Sequence, residues 1–171
     1  HHCLLSGTHM NFFGNNTDET LTGSAGDDYL DGGAGNDTID GGADGPYGDI
    51  VGFGSATTGV NVNLTTGIVS NDGTGGVDSI SNIENIQGTP FNDTLVGDAF
   101  NNGFRPGAGN DFVDGGAGTG DLIQYDDATA GVTVNLITGQ ATGTSIGNDT
   151  LVGIEAAIGS QFNDFITIKG S

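Results

Sequence analysis

Gly23-Ser-Ala-Gly-Asp-Asp28-Tyr-Leu30-Asp31 runs without a break into Gly32-Gly-Ala-Gly-Asn-Asp37-Thr-Ile39-Asp40. Both stretches open on glycine-rich turns, put an aspartate at the sixth position and a large apolar residue at the eighth. Gly41-Gly-Ala43 starts a third copy, which is stretched by Pro46-Tyr47 and reaches its aspartate at Asp49, before Ile50-Val51. Pro106-Gly-Ala-Gly-Asn-Asp111-Phe-Val113-Asp114 runs in the same way into Gly115-Gly-Ala-Gly-Thr-Gly-Asp121-Leu-Ile123. Such a nonapeptide divides into a six-residue turn and a three-residue strand whose apolar side chain points inward. Glycine permits the positive φ and close backbone approach that the turn needs. Two nonapeptides close one coil, so each repeat stacks on the repeat two places earlier, about 4.8 Å away. The expected fold is all-β, a right-handed parallel β-roll or β-helix solenoid.

A longer repeat of about 72 residues overlies the short one. Asp49-Ile-Val-Gly-Phe53 matches Asp121-Leu-Ile-Gln-Tyr125, and Gly59-Val-Asn-Val-Asn-Leu64 matches Gly131-Val-Thr-Val-Asn-Leu136. Ile83-Glu84 matches Ile154-Glu155, and Gly88-Thr-Pro-Phe-Asn-Asp93 matches Gly159-Ser-Gln-Phe-Asn-Asp164. Val60/Val62/Leu64 and Val132/Val134/Leu136 alternate with polar residues, which is a strand signal. The chain therefore divides into residues 11–95 and 96–171, two repeat blocks with longer strand-rich coils, separated by a choice of phase and not by a linker. His1-His2 and His9-Met10 read as the remnant of an expression tag, so residues 1–10 are set aside.

The 171 residues include 34 glycines and carry a formal charge of −20, with 22 acidic side chains against two basic ones. A compact fold of that charge repels itself unless something cationic neutralises it. Nucleic acid is excluded as a partner because there is no basic face for phosphate. No apolar run is long enough for a membrane span. Outside residues 1–10 the chain has neither histidine nor cysteine. That removes a zinc site, a thiolate nucleophile and a disulfide. No serine sits in a nucleophile motif and no carboxylate pair stands apart from the repeats, so no enzymatic activity is expected.

The aspartates of stacked turns lie about one strand spacing apart. Calcium–oxygen bonds are about 2.4 Å long, so an ion midway between two coils reaches oxygens from both. Turn carbonyls free of strand pairing complete a shell of hard oxygen ligands, which favours calcium over a transition metal.

The repeats resemble the RTX, or haemolysin-type, calcium-binding nonapeptide family, well over Gly14–Asp49 and Gly88–Asp121. The resemblance implies calcium ions between stacked turns, a secreted extracellular protein exported by type I secretion, and folding when calcium becomes available outside the cell. Loops two apart should pair: Gly14–Glu19 with Gly32–Asp37, Gly23–Asp28 with Gly41–Asp49, Gly88–Asp93 with Pro106–Asp111, and Gly97–Asn102 with Gly115–Asp121. The expected metal ligands in the first block are Glu19, Gly23, Ala25, Asp28, Gly32, Ala34, Gly35, Asp37, Gly41, Ala43 and Asp49. Those in the second are Asp93, Gly107, Gly109, Asp111, Gly116, Gly118 and Asp121. Asp78 and Asp149 end looser glycine-rich loops and join the set, as do Glu84 and Glu155 as weaker ligands or turn acceptors, and Asp164 with no following partner. Together these make about four to seven calcium ions. Asn102 replaces an acid, and Asp44 stands where the pattern has glycine.

Asp27, Asp31, Asp40 and Asp114 read as a solvated acidic face, and Asp126-Asp127 as an exposed loop. Asn36-Asp-Thr38, Asn92-Asp-Thr94 and Asn148-Asp-Thr150 match a glycosylation sequon but are explained by the aspartate turn. Beyond a calcium-folded structural module, the open alternatives are a polysaccharide- or surface-binding module accompanying an enzyme or adhesin, and end-to-end self-association. Phe53, Phe91, Phe100, Phe104, Phe112, Tyr125 and Phe162 are the aromatic candidates for the former, several of them belonging in the core.

Overall fold

The computed structural model describes residues 9–170, in which eighteen strands and no helix are found. Each nonapeptide supplies one strand, and successive strands fall alternately in two sheets. β1 (Met10–Phe13), β3 (Asp28–Asp31) and β5 (Ile50–Val51) lie in the first sheet. β2 (Thr20–Thr22) and β4 (Thr38–Asp40) lie in the second. Strands one coil apart pair in parallel, Met10 opposite Asp28 and Leu21 opposite Ile39, a shift of two nonapeptides. The arrangement is the expected β-roll. Met10 begins β1, so the ladder reaches into the stretch set aside as a tag; residues 1–8 of that stretch lie outside the described residues.

The core is the row of eighth-position residues. Leu30, Val51, Ile86, Phe104 and Ile123 face inward from the first sheet, and Ile39, Leu95, Val113 and Leu151 from the second, all buried. Tyr125 and Phe53 are core residues too, whereas Phe91, Phe100, Phe112 and Phe162 are exposed.

The long coils are not simply longer. After β5 the chain makes a three-strand excursion within the second sheet: β6 (Asn61–Asn63), β7 (Ile68–Asn71) and β8 (Asp78–Ser81). β8 pairs in parallel with β4, β6 pairs in parallel with the later β10 (Thr94–Val96), and β7 runs antiparallel between them. The second block repeats this with β14 (Thr133–Asn135), β15 (Gln140–Gly143) and β16 (Gly147–Val152). The remaining strands are β9 (Asn85–Gln87), β11 (Gly103–Arg105), β12 (Phe112–Asp114), β13 (Leu122–Gln124), β17 (Ala156–Ile158) and β18 (Phe165–Thr167). The boundary drawn at residues 95 and 96 falls inside β10.

The excursions give the second sheet eleven strands against seven in the first. At about 4.8 Å per strand interval the second sheet takes a path longer by roughly 19 Å. The outer face of the shorter sheet is hollow: a groove of about 570 Å³ lies over β5, β9, β11 and β13, lined by residues including Tyr47, Ile50, Asn85, Gln87, Arg105 and Gln124.

Candidate metal centre

Each nonapeptide turn ends on a sixth-position residue at the start of the next strand or directly before it, and at the aspartates one side-chain oxygen accepts a backbone N–H across the coils. On the edge leading into the second sheet, the Glu19 N–H donates to Asp37 Oδ1 (2.9 Å) and the Asp37 N–H to Asp78 Oδ1 (2.9 Å). The series continues with Val60 to Asp93, Asp93 to Asp111 (2.8 Å) and Asp111 to Asp149 (2.9 Å). Val132 donates likewise to Asp164. On the edge leading into the first sheet, Met10 donates to Asp28, Asp28 to Asp49 (2.8 Å), and Asn102 to Asp121 (2.7 Å). Glu84 and Glu155 extend this second ladder, accepting the N–H groups of Asp49 and Asp121 at 2.9 Å each. All four expected loop pairs are stacked, and both glutamates stand in the place of the next aspartate.

The other oxygen separates the turns into two kinds. Where the second turn residue is not glycine, its own N–H reaches back and closes the sixth side chain. Ser24 does this to Asp28, Thr89 to Asp93 (2.7 Å), Asn15 to Glu19 (2.9 Å) and Asp98 to Asn102 (2.8 Å). Where the second residue is glycine it takes a positive φ, as at Gly33 (83°) and Gly42 (96°), open to an L residue only with strain. That rotation sends the Gly33 N–H to Asp31 Oδ1 and the Gly42 N–H to Asp40 Oδ1, both at 3.0 Å. Gly116 donates in the same way to Asp114. The sixth-position carboxylate is then left half satisfied. Asp37, Asp49, Asp111 and Asp121, the aspartates of the four turns with glycine in second place, each bury an Oδ2 that has no hydrogen-bond partner. Asp31, Asp40 and Asp114 are therefore turn acceptors and not a merely solvated face. Asp27 likewise accepts from Tyr47 and Gly48. Asp126, read as part of an exposed loop, is instead bridged by both Nε and Nη2 of Arg105.

An orphaned, buried carboxylate oxygen is costly. Burial first, then neighbouring carboxylates, pushes Asp49, Asp78 and Glu84 up to about 7 and Asp111 up to about 9. Asp37 and Asp121 are raised for the same reasons. The self-closed ends behave oppositely: hydrogen bonds from Thr17 and Ser160 hold Glu19 and Asp164 below the usual carboxylate range. Asp149 is occupied on both sides, by the Asp111 N–H and by the Tyr125 hydroxyl (2.7 Å), although burial still lifts it to about 6. Among the described residues no lysine or arginine pairs with these carboxylates: Arg105 is bridged to Asp126, and the other such residue is Lys169 near the C-terminal end. Partnerless oxygens of anionic groups fit a hard cation such as calcium.

Not all expected ligands are alike in this geometry. Asp37, Asp49, Asp111 and Asp121 present open oxygens; Glu19, Asp28, Asp93 and Asp164 spend theirs within their own turns. The glycines stack against neighbouring carbonyls, Gly35 against Thr17, Gly109 against Phe91 and Gly118 against Phe100, with no room for a Cβ. Two acids lie outside the set of expected ligands. Asp72, in the loop before β8, is buried with a partnerless Oδ2, and its charge acts on both Asp37 and Asp78. Asp44 has a carboxylate oxygen within 4.8 Å of oxygens of Asp49 and Glu84. Neither obeys the nonapeptide spacing; the tertiary fold brings them in.

No curated protein matches the chain. The RTX calcium-binding nonapeptide repeat matches it in four copies over residues 13–45 and 87–122, each stretch holding two self-closed turns followed by two glycine-opened ones. Those two stretches are RTX calcium-binding nonapeptide repeats, and they mark the chain as carrying a calcium-binding β-roll module.

Proposed function

We propose that this is a structural module of a secreted protein that folds outside the cell when calcium fills its open turns. The observation that carries this is the set of four buried, partnerless Oδ2 atoms, all in turns whose second residue is glycine. Asp37, Asp49, Asp111 and Asp121 are the proposed principal side-chain ligands, completed by turn carbonyls of the flanking coils. Bound calcium supplies the positive charge that the buried carboxylates lack. At ~1 mM calcium and a dissociation constant of ~0.1 mM each site adds about 1.4 kcal/mol, and four independent sites about 6 kcal/mol. That is comparable to the net stability of a whole domain. Cytosolic calcium would contribute almost none of it, which couples folding to export. The module has no proposed catalytic role. Far-UV circular dichroism at pH 8 in excess chelator should show a disordered chain that gains β signal on adding calcium; a chain that stays folded in chelator at that pH overturns the proposal.

A calcium-dependent polysaccharide-binding role is a second reading, favoured by the groove over the first sheet. Its side-chain amides at Asn85, Gln87 and Gln124 beside exposed Tyr47 suit sugar hydroxyls and a sugar face. Glycan-array binding that is unaffected by Tyr47→Ala counts against it.

A further inference from the structure

The third turn departs from its equivalents in a way that gathers charge. Its fourth position, glycine in the second and in the last of the nonapeptide turns (Gly35, Gly118), is Asp44, and the inserted Gly45-Pro46-Tyr47 carries the chain outward before it returns to Asp49. Glu84 arrives from the far end of the β6–β8 excursion, directly before β9. Its Oε2 accepts the Asp49 N–H at 2.9 Å, and its backbone N–H donates to the Asp49 carbonyl at 3.2 Å. Carboxylate oxygens of Asp44, Asp49 and Glu84 all lie within 4.8 Å of one another. Asp49 is fully buried, and its Oδ2 is without a partner. Three carboxylates in such a space, with no basic side chain among them, repel each other strongly in the absence of a cation.

We infer that Asp44, Asp49 and Glu84 together form one composite divalent-cation site, taking calcium, at the junction between the nonapeptide turns and the long excursion. The inference rests on the calcium-module function proposed above and adds to it two ligands outside the nonapeptide pattern. The ion would fasten the end of the excursion to the third turn, just where the match to the repeat family ends at residue 45. The second block serves as an internal comparison. Asp121 and Glu155 repeat the Asp49–Glu84 contact at 2.9 Å, but the residue equivalent to Asp44 is Gly118, so that junction has one carboxylate fewer. Calcium affinity rises with the number of charged ligands. The Asp44 junction is therefore the tighter of the two, and the first to fill.

Calorimetric titration of the full chain with calcium tests this with Asp44→Gly, which restores the glycine of the pattern at an exposed position, and Glu84→Gln, which keeps an acceptor for the Asp49 N–H but removes the charge. Both should weaken the tightest class of calcium by about tenfold or more, while Asp127→Asn on an exposed loop leaves it unchanged. Anomalous diffraction from calcium-containing crystals should place an ion among the three carboxylates. Titrations of both variants that superimpose on the parent, or anomalous peaks at other turns with none at this junction, overturn the composite site and leave the calcium module standing. A parent chain that binds no calcium at all overturns the module itself, and this site with it.

Discussion

Ser24 and Gly33 hold the same place in consecutive turns, and the difference of one side chain decides what the aspartate four residues later can do. The Ser24 N–H and hydroxyl both bind the Asp28 carboxylate, so its oxygens are occupied. Gly33 turns its N–H toward Asp31 and leaves Asp37 Oδ2 open. Ser24→Gly should therefore release Asp28 by removing its hydroxyl donor and allowing the positive φ of the other open turns. The expected outcome is one additional calcium per chain, counted by equilibrium dialysis. An unchanged count would show that the residue in second place does not control the aspartate. Asp31 illustrates the same economy: it is not surplus surface charge but the acceptor for Gly33 and, through its other oxygen, for Gly54 at 2.7 Å.

At the level of the strands, stability comes from a single file of inward side chains. Leu95 in β10 is fully buried between β6 and β12, opposite Val62 and Val113. Ile166 occupies the corresponding inward position of β18, opposite Val134, but has no strand on its other side and is 39% exposed. Leu95→Ala should cost about 2–5 kcal/mol, and Ile166→Ala clearly less, in urea denaturation with saturating calcium. Equal costs would mean that the end coil is packed as tightly as the middle. The excursion strands deserve the same treatment as the nonapeptides: Val62 and Val69 are as buried as Leu95, so β6 and β7 belong to the folded core and are not decoration on it.

For the molecule as a whole, protons and calcium compete for one deficit of positive charge. Asp49, Asp78, Glu84 and Asp111 have folded-state values raised well above an unfolded carboxylate near 4. The folded state thus binds more protons than the unfolded one between pH ~4 and the raised values of about 7 to 9. Their protonation favours folding at low pH, and that contribution is lost as pH rises through the folded-state values. In chelator, circular dichroism should show more β structure at pH 5 than at pH 8. A β signal that instead grows with pH would show that the buried carboxylates do not set the stability of the metal-free chain.

The spacing of glycine, aspartate and apolar residues alone determined that the chain is a two-sheet solenoid, which turns stack on which, and that their acids are candidates for calcium. It could do so because each nonapeptide repeats one local structure, and a local structure is written in local sequence. The 72-residue repeat likewise showed that Glu84 and Glu155 are equivalent. Only the tertiary structure decided that the long coils fold back as three-strand excursions, because β6 finds its parallel partner in β10, more than thirty residues later. It alone separated open from self-closed aspartates: the glycine in second place is visible in the sequence, but where its N–H points, and so which carboxylate oxygen it leaves open, is not. It also recruited Asp44 and Asp72: Asp44 meets Glu84, and Asp72 comes beside Asp37, only when the coils stack.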